Sequence, residues 1–347
     1  STGVGTRATV ITNAPTKAKF ILTSPQARHL IAFGAHDGVS QVPLLIRWSA
    51  SEDNTTWTAS ATNSAGDLII TGGSEILSAA KSDNEVLIWT DTSMHVMYYT
   101  GAPYYFGIRQ VAETGGIIGP HAHVSIAGKT FFMGINNFYV YDGRLQILPS
   151  SIHKYVFQDL NLNQREKCHI GRNDQFNEIW FFWVSTNASE IDRYAIYNYA
   201  ENTWAIGTLE RTSWIDRNIV FAGPLATDST GYLYGHEQGY NDNGSAMTAY
   251  VTSSDFDLEE GQRMVFLDKI IPDFETLTGT VNIELMSRKY PASSQVTKGP
   301  FAMTSSTTKV PVRVKGRQAS IKISSNTSAA YWRYGTLRGR IRTDGDR

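Results

Sequence analysis

The chain has 347 residues, 41 % of them hydrophobic and 18 % charged, with a net charge of −1 and a single cysteine, Cys168. This describes a globular protein able to bury a core, of about two domains by length, and excludes a disulfide-stapled scaffold. The longest apolar runs fall short of the ~18 residues a helical membrane span needs.

In chain order, residues 1–20 are weakly patterned. Arg28–His36 and Val42–Ser49 read as strands, closed by the turn dipeptide Asp37-Gly38 and by a polar loop ending at Trp57. Gly66–Thr71 and Glu75–Ala80 are two more, split by Gly72-Gly73. Glu85–Tyr99 and His123–Asp142 are aromatic strand–turn–strand units turning at Asp91 and at Asn136-Asn137. Ser150–Gln164 is the one helix candidate, with Ile152, Tyr155, Val156 and Leu160 at helical spacing and Ser150 or Ser151 as cap. Strands resume at Glu178–Ser185, Arg193–Tyr199, Thr203–Gly207, Arg217–Phe221 and Gly231–His236. Ala195–Gly207 is similar to a kelch-type blade edge, and four or five such units recur between residues 28 and 240.

From about Tyr250 the texture changes to strict alternation. Met264–Ile271, Gly279–Met286, Lys309–Lys315 and Gln318–Ser324 read as alternating strands, with Val281, Ile283 and Leu285 facing one way in the second and Ala319, Ile321 and Ile323 in the last. The expected fold is therefore all-β. A β-propeller-like domain of antiparallel blades spans 1–249, and a basic β-sandwich-like domain spans 250–347.

Chemistry is sparse. His121 and His123 sit at i, i+2 and are the weak candidates for a metal, but no third donor is near them in sequence. Cys168 beside His169 would point to opposite faces of a strand, which disfavours a thiol–imidazole pair. Ser51–Trp57 faintly resembles the Asp-box turn of sialidase-type propellers, without its glycine or spacing; a solvent turn carrying a packed tryptophan explains it equally well. Gly72-Gly73 and Gly115-Gly116 lack the Lys-Ser/Thr sequel of a phosphate loop. No catalytic residues are assigned and no cofactor is expected.

Charge is the strongest signal. Val281–Arg347 holds 13 basic residues against three acidic ones, leaving −11 for the rest of the chain. Arg313, Lys315 and Arg317 alternate along one strand, and Arg338, Arg340 and Arg342 along another. These six are the candidate partner- or DNA-binding residues. An acidic partner, such as the acidic portion of a neighbouring copy, is favoured over sequence-specific DNA reading, because no recognition helix or stacking platform accompanies the arginines.

Several aromatic strand–turn segments occur in a telling order. They are RHLIAFGA (28–35), the Ile46–Leu68 run, LIWTDTSMHVMYYTG (87–101) and FFMGINNFYVYDG (131–143). They continue with NEIWFFW (177–183), DRYAIYNYAENTWAIG (192–207), LYGHEQG (233–239) and WRYGTLRGRIR (332–342). In this order the chain resembles the tail nozzle (tail hub, or packaged-DNA stabilisation) proteins of short-tailed bacteriophages, over nearly its whole length. The resemblance implies a non-enzymatic virion protein made in the bacterial cytoplasm. It implies a ring, typically a hexamer, that continues the DNA channel, retains the packaged genome and allows its ejection. The implied partners are an adaptor or connector ring, tail fibres or spikes, and non-specifically the genomic double-stranded DNA. Such proteins carry more chain before the first match, which leaves missing N-terminal blade material and a reduced version as alternatives. A carbohydrate-binding or glycoside-cleaving propeller at the host surface is the rival reading, and a tail-fibre-attachment or assembly protein a third.

Overall fold

The computed structural model describes residues 10–257, 263–336 and 338–343. The chain divides into two compact units, Ser1–Glu237 and Gln238–Arg347, each all-β.

The first unit is β-propeller-like: a series of antiparallel meanders, each strand pairing with the next. The first sheet holds β1 (Phe20–Thr23), β2 (Leu30–Phe33), β3 (Leu45–Trp48) and β4 (Gly66–Ile69). The second holds β5 (Ile76–Lys81), β6 (Glu85–Thr90), β7 (Met94–Gly101) and β8 (Tyr105–Ala112). The third holds β9 (His123–Ile126), β10 (Lys129–Met133), β11 (Phe138–Tyr141) and β12 (Leu145–Ile147). After a short helix, α1 (His153–Asp159), and a 3₁₀ turn over Leu162–Lys167, the fourth sheet holds β13 (His169–Asn173), β14 (Glu178–Trp183), β15 (Arg193–Asn198) and β16 (Thr203–Thr208). A three-stranded fifth sheet follows, of β17 (Ser213–Ile215), β18 (Leu225–Thr227) and β19 (Leu233–Gly235). First strands of successive sheets lie side by side, β1 by β5 and β9 by β13 by β17, as inner strands of blades do. Aromatic residues fill the spaces between sheets: Trp89, Phe132, Phe138, Phe181 and Trp183 are fully buried. Phe138 meets Phe181 with ring centroids 4.6 Å apart.

Two expectations for this unit need correction. The helix is shorter than Ser150–Gln164, and neither serine supplies a side-chain N-cap bond; the N-cap is Ile152, with only Val156 of the helix fully buried. Arg217–Phe221 is not a strand. It lies in the loop between β17 and β18, because Asn218 folds the chain back on itself. The Asn218 Oδ1 accepts from the amides of Val220 and Phe221 at 2.8 and 3.0 Å.

The second unit is β-sandwich-like. Its strands are β20 (Ala249–Thr252), β21 (Phe256–Asp257), β22 (Val265–Ile271), β23 (Phe274–Thr278), β24 (Val281–Arg288), β25 (Val296–Met303), β26 (Val310–Gly316), β27 (Gln318–Ser325), β28 (Tyr331–Tyr334) and β29 (Arg338–Thr343). One sheet runs β20-β27-β24-β25, a second β26-β22-β29, and β23 pairs with β28. The alternation does what it should: Val281, Ile283 and Leu285 point inward against Val310, Val312, Val314, Ile321 and Ile323. β22 departs from strict alternation. Its register with both neighbours shifts between Leu267 and Lys269, a bulge at Asp268.

Candidate functional site

The register of β26-β22-β29 brings the two basic rows together. Val314, Leu267 and Ile341 are directly opposed and share the inner face, over an apolar cavity of about 150 Å³. Lys315, Phe266 and Arg342 are opposed on the outer face, as are Pro311, Lys269 and Arg340. Arg313 and Arg338, two residues from Lys315 and Arg340, follow onto that face by the period of two. The bulge turns two consecutive residues outward, so Asp268 and Lys269 both reach it. Arg317 departs from this row: it stands in the connection to β27, with its guanidinium 5.7 Å from the ring of Tyr290.

Asp268 is the anchor of the face. Its Oδ1 accepts from Nε of Arg340 at 2.7 Å, and its Oδ2 lies 3.6 Å from Nε of Arg342. The bond from Arg340 and the charges of Arg340, Arg342 and Lys269 hold its carboxyl below the usual range. Asp268 side chain is only 15 % exposed, while Arg340 and Arg342 remain 53 % and 61 % exposed. Arg338 pairs with Asp273 at 3.3 Å. Among the described residues, Asp268 and Asp273 thus meet the three arginines of β29 on this face.

The same carboxylates temper the charge split. Counted by compact unit, Gln238–Arg347 holds 15 basic and 11 acidic residues, +4, and Ser1–Glu237 holds 16 and 21, −5. The contrast of −11 against +10 came from dividing the sequence at Val281, which separates the arginines of β29 from the aspartates they pair with.

A second polar cluster lies in the propeller-like unit. Asn173 ends β13 and Glu178 opens β14 opposite it. Asn173 Nδ2 donates to Glu237 at 3.0 Å, and Trp180 Nε1 donates to Glu178 at 3.0 Å. Burial, and secondarily the charge of Glu237, pushes the Glu178 carboxyl above its ordinary range; burial does the same to Glu237. Around them Trp180 stacks on Tyr194 and Trp214, with ring centroids 4.8 and 5.1 Å away. Trp180 is buried, so this wall is packing rather than an open platform.

The remaining candidates resolve into structural roles. His123 stacks on Trp89, and burial takes its imidazole down to about 4. His121 forms a parallel bridge to His169, itself stacked on Phe182 and lowered by burial to about 4. Among the described residues no three His, Cys, Asp or Glu side chains are grouped to hold a metal ion. Cys168 is fully buried and its thiol is pushed up to about 12, so it is not a nucleophile at neutral pH. Ser93 Oγ and His95 Nε2 are 2.9 Å apart, but both residues are buried against water and substrate alike. In the Ser51–Trp57 loop, Asp53 accepts from the amide and hydroxyl of Thr55, and the buried Trp57 donates to the carbonyl of Asn54 at 2.7 Å.

No family model matches the chain, and no curated protein matches it. Among solved structures it is similar to an exo-β-1,3-galactanase from Phanerochaete chrysosporium in complex with β-1,3-galactotriose. That match has 11 % identity and a TM-score of 0.25, and covers 90 % of this chain and 79 % of the other. It is also similar to a structure described as a glycoside hydrolase, at 9 % identity and TM-score 0.27, over 89 % and 94 %. Neither likeness bears on reaction or substrate.

Sequence reasoning missed Lys269, Asp268 and Asp273 on the basic face, and Asn173, Glu178 and Glu237 in the acidic pair. A signal for the first existed: two consecutive charged residues, Asp268 and Lys269, break the otherwise apolar run VFLDKII. The second had none, since Glu237 lies 59 residues from Glu178 in sequence.

Proposed function

We propose that this chain is a non-enzymatic structural subunit that assembles with copies of itself into a ring, the tail nozzle of a short-tailed phage. The observation that carries the oligomeric part is the turn at Asn218. Ile219, Val220 and Phe221, exposed to 106 %, 80 % and 45 %, are held outward on an ordered, hydrogen-bonded loop. Three consecutive large apolar side chains fixed in water are unfavourable for a monomer and suit a surface that a neighbour covers. A ring joins one face to a different face of the next copy, so a projecting apolar loop on one side is the kind of element it uses. The order of aromatic segments supplies the phage-tail part of the reading. Light scattering on the full chain should give a multiple of the 38.5 kDa protomer mass. Ile219→Asp with Val220→Asp should reduce it to the protomer with its melting temperature unchanged. A variant that assembles like the wild type removes this loop from the interface.

A carbohydrate-active reading has one observation in its favour: the carboxylates of Glu178 and Glu237 lie close enough for the charge of one to raise the other, beside Trp180, and glycoside hydrolysis uses two carboxylates. Hydrolysis of any glycan by the wild type, lost in Glu178→Gln, would establish it in place of the first.

A further inference from the structure

We propose that the face of the second sheet turned toward the third binds a neutral oligosaccharide, with Tyr98 as stacking platform and Glu85 and Arg109 as its hydrogen-bonding edge. The inference rests neither on the ring nor on the Glu178–Glu237 pair, because the three residues stand together on one sheet.

The register places them. Glu85, Tyr98 and Gly107 are opposed across β6-β7-β8, and Leu87, Val96 and Arg109 form the next row on the same face. A Cβ on Gly107 would stand 2.8 Å from the Tyr98 ring, so the far end of that ring lies directly over a residue without a side chain. The fourth sheet repeats the device. Tyr194 is opposed to Gly207 and lies closely over it, and there Trp180 stacks on the tyrosine with ring centroids 4.8 Å apart. Such a platform holds a flat apolar face. Among the described residues no aromatic ring stacks on Tyr98, which stays 37 % exposed.

The edge of the platform is polar. Arg109 Nη2 donates to the Tyr141 hydroxyl at 3.0 Å and to Glu85 Oε1 at 3.5 Å, and the Tyr141 hydroxyl donates to Glu85 Oε2 at 3.1 Å. These bonds fix both charged side chains while leaving Arg109 44 % and Glu85 32 % exposed. They engage one terminal amino group of Arg109, so guanidinium and carboxylate keep capacity for vicinal hydroxyls. One positive and one negative group cancel, which suits a neutral ligand. A pyranose supplies both halves, a C–H face for the ring and hydroxyls at its rim for the pair. A protein partner would bring a charge-poor centre to its interface, and here the ring is bordered by Glu85 and Arg109.

The test is saturation-transfer difference NMR on the full chain with maltohexaose, cellohexaose, mannohexaose and N-acetylated chitohexaose in turn. At least one should receive saturation at its ring C–H protons. Tyr98→Phe keeps the aromatic face and should keep the signal. Tyr98→Leu keeps apolar bulk without a flat face and should weaken binding about 5-fold. Arg109→Gln should weaken it about 10-fold. Because Arg109 also holds Tyr141, the decisive variant is Tyr98→Leu, checked as folded by its melting temperature. Absence of transfer to all four sugars overturns the proposal, as does wild-type affinity in folded Tyr98→Leu. Binding lost in Glu178→Gln but kept in Tyr98→Leu also overturns it and assigns the sugar to the acidic pair.

Discussion

The acidic pair of the propeller-like unit and the basic face of the sandwich-like unit use charge in opposite ways. Glu178 accepts from the buried Trp180 and Glu237 from Asn173, and desolvation raises both carboxyls toward the neutral form. Their hydrogen bonds tie β13, β14 and the end of the fifth sheet together. On the outer face of β26-β22-β29, Arg338, Arg340 and Arg342 stay more than half exposed while they pair with Asp273 and Asp268. A charged group engaged among packed residues loses its charge to burial, while one paired at the surface keeps it.

The largest effect belongs to the buried core on the face of β14 opposite Glu178. Trp183 is fully buried, and Trp183→Ala should cost about 3–5 kcal/mol in urea unfolding. Next is close packing at the same sheet. A Cβ on Gly171 would stand 2.3 Å from the Trp214 ring, so Gly171→Ala should cost about 1–3 kcal/mol by the same assay. A smaller effect comes from the pair itself. Because its folded-state pKa is raised, Glu178 holds more protons folded than unfolded, and its contribution falls as pH rises from the ordinary carboxylate range through the folded value. Glu178→Gln, which keeps an acceptor for Trp180, should flatten the loss of melting temperature above pH 4.5 and raise stability at pH 7. A steeper loss would show that the carboxylate is wanted charged. The smallest effect lies outside both regions. Arg28 and Glu52 pair while 78 % and 64 % exposed, and Arg28→Ala should change stability by less than about 0.5 kcal/mol.

The fold was legible because both sheet systems rest on local rules. Aromatic strands broken by Asp, Asn and Gly turns read as meanders, and alternation placed Val281, Ile283 and Leu285 inside correctly. The basic rows were legible strand by strand. Their meeting on one sheet was not, since β22 comes between β26 and β29 in space but before both in sequence. Arg217–Phe221 misled because an apolar run reads as a strand whether or not a side-chain bond, here from Asn218, folds it out into solvent. The Glu178–Glu237 pair is a product of tertiary structure alone.

The proposed ring requires copies fitted around an axis, with Ile219, Val220 and Phe221 covered by a neighbour. Negative-stain electron microscopy of the purified full chain tests it most directly. Closed rings with an axial opening and one rotational symmetry throughout are expected; uniform single protomers of the same folded protein would rule the ring out.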